Sequence, residues 1–312
     1  MRWVWLLALP FELMAQQRYS FTHPQMGTYF NLVFYASDAR LANDLAAGAF
    51  QRIDSLNAHL SDYAPDSELN QLSATAGTGQ KVPVRPDLWT VLRAAQKVSR
   101  KSQGAFDATA GATTRLWRRA FRHQEFPDTA LIEAARKRTG YRAVHFFPFS
   151  RKISLQQVGA RLDLGGIAKG YAVDEVFKML KREGIRRALV DGGGDVMAGA
   201  PPPGESGWRI ACKLLNPQGM LVDSILVLSR KAVATSGDTY RYLEWQGIRY
   251  SHIIDPQTGY GVTHRCLATV LAPTCMYADA WATAISVIGP GKELPKVRRV
   301  KMTLVPINTA ER

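Results

Sequence analysis

The stretch Asp163-Leu164-Gly165-Gly166-Ile167-Ala168-Lys169-Gly170-Tyr171-Ala172-Val173-Asp174 sets a carboxylate, two adjacent glycines and a lysine where one backbone pattern gives way to another. The run before it, Ile153–Leu155 through Ala160–Leu162, alternates as a strand does, and Glu175–Leu180 after it reads as a helix. Free N–H groups at a strand-to-helix junction suit an anion, and Lys169 adds positive charge. A nucleotide phosphate is the ligand this chemistry suggests first. The same glycines could serve only a sharp turn, with Lys169 solvated. The run is neither a Walker A loop nor a Gly-x-Gly-x-x-Gly fingerprint.

A second pair lies far along the chain. Asp279 and Thr283 are four residues apart in Ala278-Asp279-Ala280-Trp281-Ala282-Thr283-Ala284, which puts both oxygens on one helix face. A carboxylate and a hydroxyl there form a hard-oxygen pair suited to Mg²⁺ beside a phosphate. An acid favouring the helix dipole and a Thr bonded back to a carbonyl would leave the same pattern. In Ser251 to Gly259, strand alternation would turn His252 and Ile254 to one side and Ile253 and Asp255 to the other. His252 is then either a cleft residue or a structural His beside a turn. Gly104-Ala105-Phe106-Asp107 and Thr235-Ser236-Gly237-Asp238 are polar turns that could offer N–H groups and a carboxylate. No Gly-x-Ser-x-Gly elbow, His-Glu-x-x-His or kinase signature is present.

The elements that must position these residues are legible in outline. Strands are expected at 31–36, 142–147, 152–155, 188–190, 208–213, 224–228, 232–235, 250–254 and 267–271. Helices are expected at 40–60, 88–99, 129–139 and 277–288, the last two stopped by Gly140 and by Gly289-Pro290. Residues 60–73 read as a polar loop. Strands gather after residue 140 with helices between them, which indicates an α+β fold of mixed, largely antiparallel sheets.

The chain has 312 residues, 46% of them hydrophobic, which is ample for a buried core. Lys and Arg number 40 against 26 Asp and Glu, a net charge of +14. The basic clusters (Arg115, Arg118, Arg119 and Arg122; Arg136-Lys137-Arg138; Lys181-Arg182; Lys296 to Lys301) are scattered and carry no nucleic-acid signature. Nucleic-acid binding is therefore the weakest of the readings and is not expected. Cys212, Cys266 and Cys275 have no paired spacing, which argues against a disulfide framework or a zinc site. Met1 to Gln17 resembles a short signal peptide with a cut after Ala15. A leader at 1–15, one domain over 16–312, and a periplasmic or exported protein without a transmembrane helix or lipoprotein cysteine are the resulting expectations.

Taken together and in order, these segments resemble the ApbE family of Mg²⁺-dependent FAD:protein FMN transferases. The matching pieces are Met26-Gly27-Thr28, Ser61 to Asn70, Gly104 to Asp107, Asp163 to Asp174, Asp191-Gly192-Gly193-Gly194-Asp195, Thr235 to Asp238, His252 to Gly259 and Ala278 to Thr283. The resemblance implies a T-fold-like architecture with FAD in a central cleft. It implies Mg²⁺ held by Asp279, Thr283 and the Gly166 carbonyl. It implies FAD contacts from Met26, Tyr63, Ala105, Phe106, Asp107, Asp163, Lys169, His252 and Ile253. It further implies attack of an acceptor Ser or Thr hydroxyl, within an Asp-Gly-x-Ser/Thr motif, on the flavin-side phosphorus, with AMP leaving. His252 and Asp279 are both candidates for the catalytic proton acceptor. The implied acceptor is an exported or membrane protein, such as a quinone reductase or electron-transfer subunit, with peripheral proximity to a membrane. Hydrolysis of FAD to FMN and AMP, or FAD binding without a protein acceptor, is the alternative. Ala108 stands where the family commonly has proline or a branched residue.

Overall fold

The structure is a computed structural model that describes residues 16–215, 221–237 and 242–307. The expected leader at 1–15 and Asp238 lie outside the described residues. In chain order the elements are β1 (Gln17–Gln25), β2 (Thr28–Ala36), α1 (Ala39–Leu60), α2 (Glu68–Ala74), β3 (Val82–Pro83), α3 (Pro86–Lys101), α4 (Gly111–His123), α5 (Thr129–Arg136), β4 (Val144–Phe147) and β5 (Lys152–Leu155). After the glycine motif come α6 (Ala168–Arg182), β6 (Ala188–Gly192), β7 (Val196–Ala198), β8 (Trp208–Leu215), β9 (Leu221–Leu228), β10 (Lys231–Gly237), β11 (Tyr242–Trp245), β12 (Ile248–Ser251), β13 (Cys266–Ala272), α7 (Cys275–Ile288) and β14 (Lys301–Pro306). The class is α+β, as expected.

The main sheet runs β1-β2-β6-β7-β10-β13-β14, and every pairing in it is antiparallel. Alternation in β2 buries Phe30, Leu32, Phe34 and Ala36 on one face. That face meets α1, α6 and α7, including Ile53, Leu56, Val173, Val176, Trp281 and Ile285. The opposite face, with Val33, Tyr35 and Val233, is covered by Trp208 and Leu228 of the β8–β9 hairpin.

Local chemistry explains the helix ends. Asp38 caps α1 by accepting from the Leu41 N–H at 2.9 Å, and buried residues from Ala42 to Leu60 recur at helical spacing behind it. Residues 60–73 are not all loop: the Ser67 hydroxyl caps α2 at the Asn70 N–H, and Leu69 and Leu72 anchor it in the core. The two-turn length and polar composition of α2 hid it from periodicity. Helix α6 begins at Ala168 rather than at Glu175, so Lys169 and Gly170 lie in its first turn. The strand expected over 250–254 ends at Ser251, whose hydroxyl takes the Ile253 N–H at 3.1 Å and bends the chain. His252 is consequently exposed while Ile253 and Ile254 are both buried.

Helix α7 is buried nearly all round. Its first N–H groups, from Cys275 and Met276, donate to the Asp174 carboxylate of α6 at 2.7 and 3.0 Å. A helix N-terminus buried this deeply must find such acceptors. On its other side α6 is tied down by Arg52 of α1, which bridges Asp87 (2.6 and 2.9 Å) and Glu175 (2.9 Å), while the Tyr171 hydroxyl donates to Asp87 at 2.6 Å.

Burial raises the Asp174 pKa to about 6 against the pull of the Met276 and Cys275 N–H groups. A carboxyl whose folded pKa is raised adds stability below its unfolded pKa and loses it as pH rises through the folded one. Unfolding titrations between pH 4 and 7 are expected to show that falling contribution, and Asp174→Asn to flatten it. Asp174→Ala, which strands two buried N–H groups, is expected to cost about 1–3 kcal/mol in denaturant unfolding.

Candidate active site

The site is built where α6 and α7 touch. A Cβ on Gly170 would lie 2.4 Å from the Cys275 carbonyl oxygen and 2.9 Å from the Asp279 Cβ, so only glycine permits this approach. The Gly170 N–H, an otherwise orphaned donor of the first turn of α6, donates to Asp279 Oδ2 at 3.1 Å. Each helix therefore supplies a carboxylate to the start of the other: Asp279 to α6, Asp174 to α7.

Lys169 lies between two buried acids. Its ammonium is 2.6 Å from Asp195 Oδ2 and 3.6 Å from Asp279 Oδ2. Burial opposes the lysine's charge, but Asp279 and Asp195 outweigh it and hold its pKa above the ordinary value. Burial raises Asp279 despite Lys169 and the Gly170 N–H, and burial followed by repulsion from Asp279 raises Asp195. Asp195 reaches this position on the β6–β7 turn, where Gly193 and Gly194 take positive φ. A Cβ on Gly193 would lie 2.2 Å from the Thr28 hydroxyl, so that turn sits against the Met26-Gly27 hairpin joining β1 to β2. Asp195 was not singled out in the sequence. Its partners are remote in the chain, and only its glycine-rich setting marked it.

Gly166 faces α7 directly. A Cβ there would lie 2.8 Å from the Thr283 hydroxyl oxygen and 3.3 Å from the Phe106 ring. The fold thus gathers Gly166, Thr283, Asp279, Lys169 and Phe106. Among the described residues no group of three or more His, Cys, Asp or Glu could hold a metal. The donor set that fits a hard cation here is mixed: the Asp279 carboxylate, the Thr283 hydroxyl and the Gly166 main chain.

Phe106 links this centre to a neighbouring cluster in which Ala105, Ile253, Val262 and Val287 pack together. The two segments are also tied by the Gln257 side chain, which donates to the Gln103 carbonyl at 2.8 Å. Asp107 points into the protein: its oxygens accept from Thr109 N–H and hydroxyl (2.8 and 2.7 Å) and from Tyr141 N–H (2.8 Å). Burial raises its pKa against the Thr109 bonds. Asp107 therefore shapes the turn that presents Ala105 and Phe106. The Ala108 carbonyl accepts from the Asp163 N–H at 2.8 Å, which straps that turn to the glycine motif.

Asp163 bends the motif by accepting from Gly165 N–H at 2.7 Å and pairs with Arg118 at 2.9 Å. Arg118 also binds Asp62 and lies 4.3 Å from the centroid of the Tyr63 ring, which is 70% exposed. One guanidinium thus joins Tyr63 to Asp163. In the sequence Arg118 reads as one of several scattered surface charges. His252 is exposed at the end of β12, whereas Asp279 is buried. The structure does not make them a pair of like surroundings.

Comparison with known proteins agrees with the fold. Residues 26–304 match the ApbE family. A FAD:protein FMN transferase of Klebsiella pneumoniae (strain 342) is 32% identical over 278 residues, covering 88% of this chain and 79% of that protein. The structure of an apo flavinyl transferase ApbE from Pseudomonas stutzeri superposes with TM-score 0.78 at 31% identity, covering 90% of this chain and 87% of that one. The flavin transferase ApbE from Vibrio cholerae gives TM-score 0.77 at 29% identity, with 88% of each chain covered.

Lys169→Met leaves Asp195 and Asp279 buried without their cation. It is expected to cost about 3–5 kcal/mol at pH 7 in denaturant unfolding. Because both folded-state carboxyl pKa values are raised, part of that loss should return as the pH is lowered towards 4.

Proposed function

The chain belongs to the ApbE family, and from that premise we propose that it transfers FMN from FAD to a Ser or Thr hydroxyl of an acceptor protein. The flavin stays attached through a phosphoester and AMP leaves. The observation that carries this reading is the convergence of Lys169, Asp279, Thr283 and Gly166 at the α6–α7 contact. A pyrophosphate needs charge neutralised on its oxygens and a fixed position for the phosphorus, and such a centre supplies both.

Asp279, Thr283 and the Gly166 carbonyl would hold Mg²⁺. When bound, that ion supplies positive charge to the pyrophosphate oxygens. Lys169 stays protonated beside it and adds a fixed cation, aimed by Asp195. Ala105, Phe106 and Ile253 offer apolar surface to the flavin, with Met26 at the hairpin tip and Tyr63 and Asp163 on the side held by Arg118. Asp279 is buried, whereas His252 is exposed where an acceptor protein can reach it. We therefore assign the acceptor's proton to His252 and the ligand role to Asp279. The acceptor carries an Asp-Gly-x-Ser/Thr motif and is an exported or membrane protein, which matches a leader at 1–15. Among the described residues no helix is long and apolar enough to cross a membrane.

Incubation with FAD, Mg²⁺ and an acceptor bearing the motif is expected to give in-gel flavin fluorescence on the acceptor and stoichiometric AMP. AMP and free FMN without labelled acceptor would establish FAD hydrolysis instead. Asp279→Ala is expected to lower transfer by about 10²-fold or more. His252→Ala should lower kcat for transfer while leaving FAD binding unchanged. An Asp279→Ala enzyme with full Mg²⁺-dependent turnover would remove the metal assignment.

A further inference from the structure

Beside this site lies a cavity of about 650 Å³ whose arginines the proposed chemistry does not use. It opens between α4 and α5 and reaches Asp62 and Tyr63 at one end. Arg115, Arg119 and Arg122 line it from one face of α4, and Arg138 and Arg161 line it from outside that helix. All five are exposed, and none has a carboxylate partner among the described residues. Arg118, in the same stripe, is the exception that pairs with Asp62 and Asp163.

Stability does not account for this pattern. Like charges three and four residues apart weaken a helix. Solvated surface charge does not account for it either, since the arginines surround a recess whose lining includes Leu116, Leu131 and Ala134. Leu131 is 56% exposed there. Guanidinium groups with apolar surface between them suit a chain that alternates carboxylates with apolar atoms.

Shape narrows the ligand. A flat bilayer surface or a rigid duplex cannot enter a recess between two helices, but an extended chain can. From Arg115 to Arg122 the helix rises about 10 Å, the length of three or four extended residues. Position narrows it further. Tyr63 and Arg118 are part of the cavity's lining, and Arg118 holds Asp163 at the start of the glycine motif. A chain in the recess therefore leads to the site of transfer.

We propose that the α4–α5 recess docks an acidic, extended segment of the acceptor protein close to its flavin-receiving hydroxyl. This rests on the FMN-transfer reading and adds to it the chemistry by which the acceptor is chosen.

Two rhodamine-labelled peptides of equal length test it. Both carry an Asp-Gly-Ala-Thr sequence, one followed by a Glu tract and the other by a Gln tract. Anisotropy titration of the full chain is expected to show the Glu peptide bound about tenfold or more tighter, with the difference shrinking as salt rises. Arg119→Glu/Arg122→Glu should abolish that preference, as should the milder Arg119→Gln/Arg122→Gln if charge reversal disturbs folding. AMP release with the Gln peptide should stay unchanged in both. Equal binding of the two peptides by the unmodified chain, or a preference that survives both double variants, would overturn the proposal. So would a single-stranded oligonucleotide that outcompetes the Glu peptide through the same arginines. Arginine-dependent peptide binding with no flavin on either peptide would sustain the recess and refute the transfer reading.

Discussion

The structure depends on the contact in which α6 and α7 cap one another. Asp279 of α7 accepts from the Gly170 N–H, and Asp174 of α6 accepts from the N–H groups of Cys275 and Met276. Both helix starts are buried, so each needs an acceptor that water cannot provide. Carboxylates near helix N-termini also meet the positive end of the helix dipole. Gly170 makes the exchange possible, because any side chain there would strike the Cys275 carbonyl.

That contact brings a second consequence. It fixes Asp279 in the protein's interior, where its charge must be met. Lys169, one residue before Gly170, meets it, and Asp195 meets the remaining demand of Lys169. The result is a buried cluster of two carboxyls and one ammonium, held by the main sheet and two helices. A second cation beside Asp279 would favour its ionised form. The recess that Arg118 helps to line is instead rich in arginine.

Much of this was legible in the sequence because it is local. Asp279 and Thr283 declare one helix face by their spacing, and the glycine pair with Lys169 declares a helix start beside a turn. The long amphipathic α1 and the buried, alternating β2 announce themselves by period. What stayed hidden was set by partners remote in the chain. Asp174 and Cys275 are 101 residues apart, and nothing near either shows the bond. Asp195 looks like a turn residue until β6 and β7 bring it under Lys169. Arg118 looks like solvated charge until α4 places it over Tyr63. The 250–254 segment misled because its alternation is real, yet a single hydroxyl at Ser251 ends the strand. For Asp174, Asp195 and Arg118 a side-chain bond across the fold, invisible to periodicity, decided the outcome; at Ser251 a local side-chain bond did.

In the proposed reaction the α6–α7 contact divides a metal–pyrophosphate site between the glycine motif and α7. Anomalous diffraction from crystals grown with FAD and Mn²⁺ in place of Mg²⁺ tests it most directly. A metal peak bounded by the Gly166 carbonyl, the Asp279 carboxylate and the Thr283 hydroxyl is expected, with the FAD pyrophosphate beside it. Ordered FAD with its metal elsewhere, or with none at that position, would contradict it.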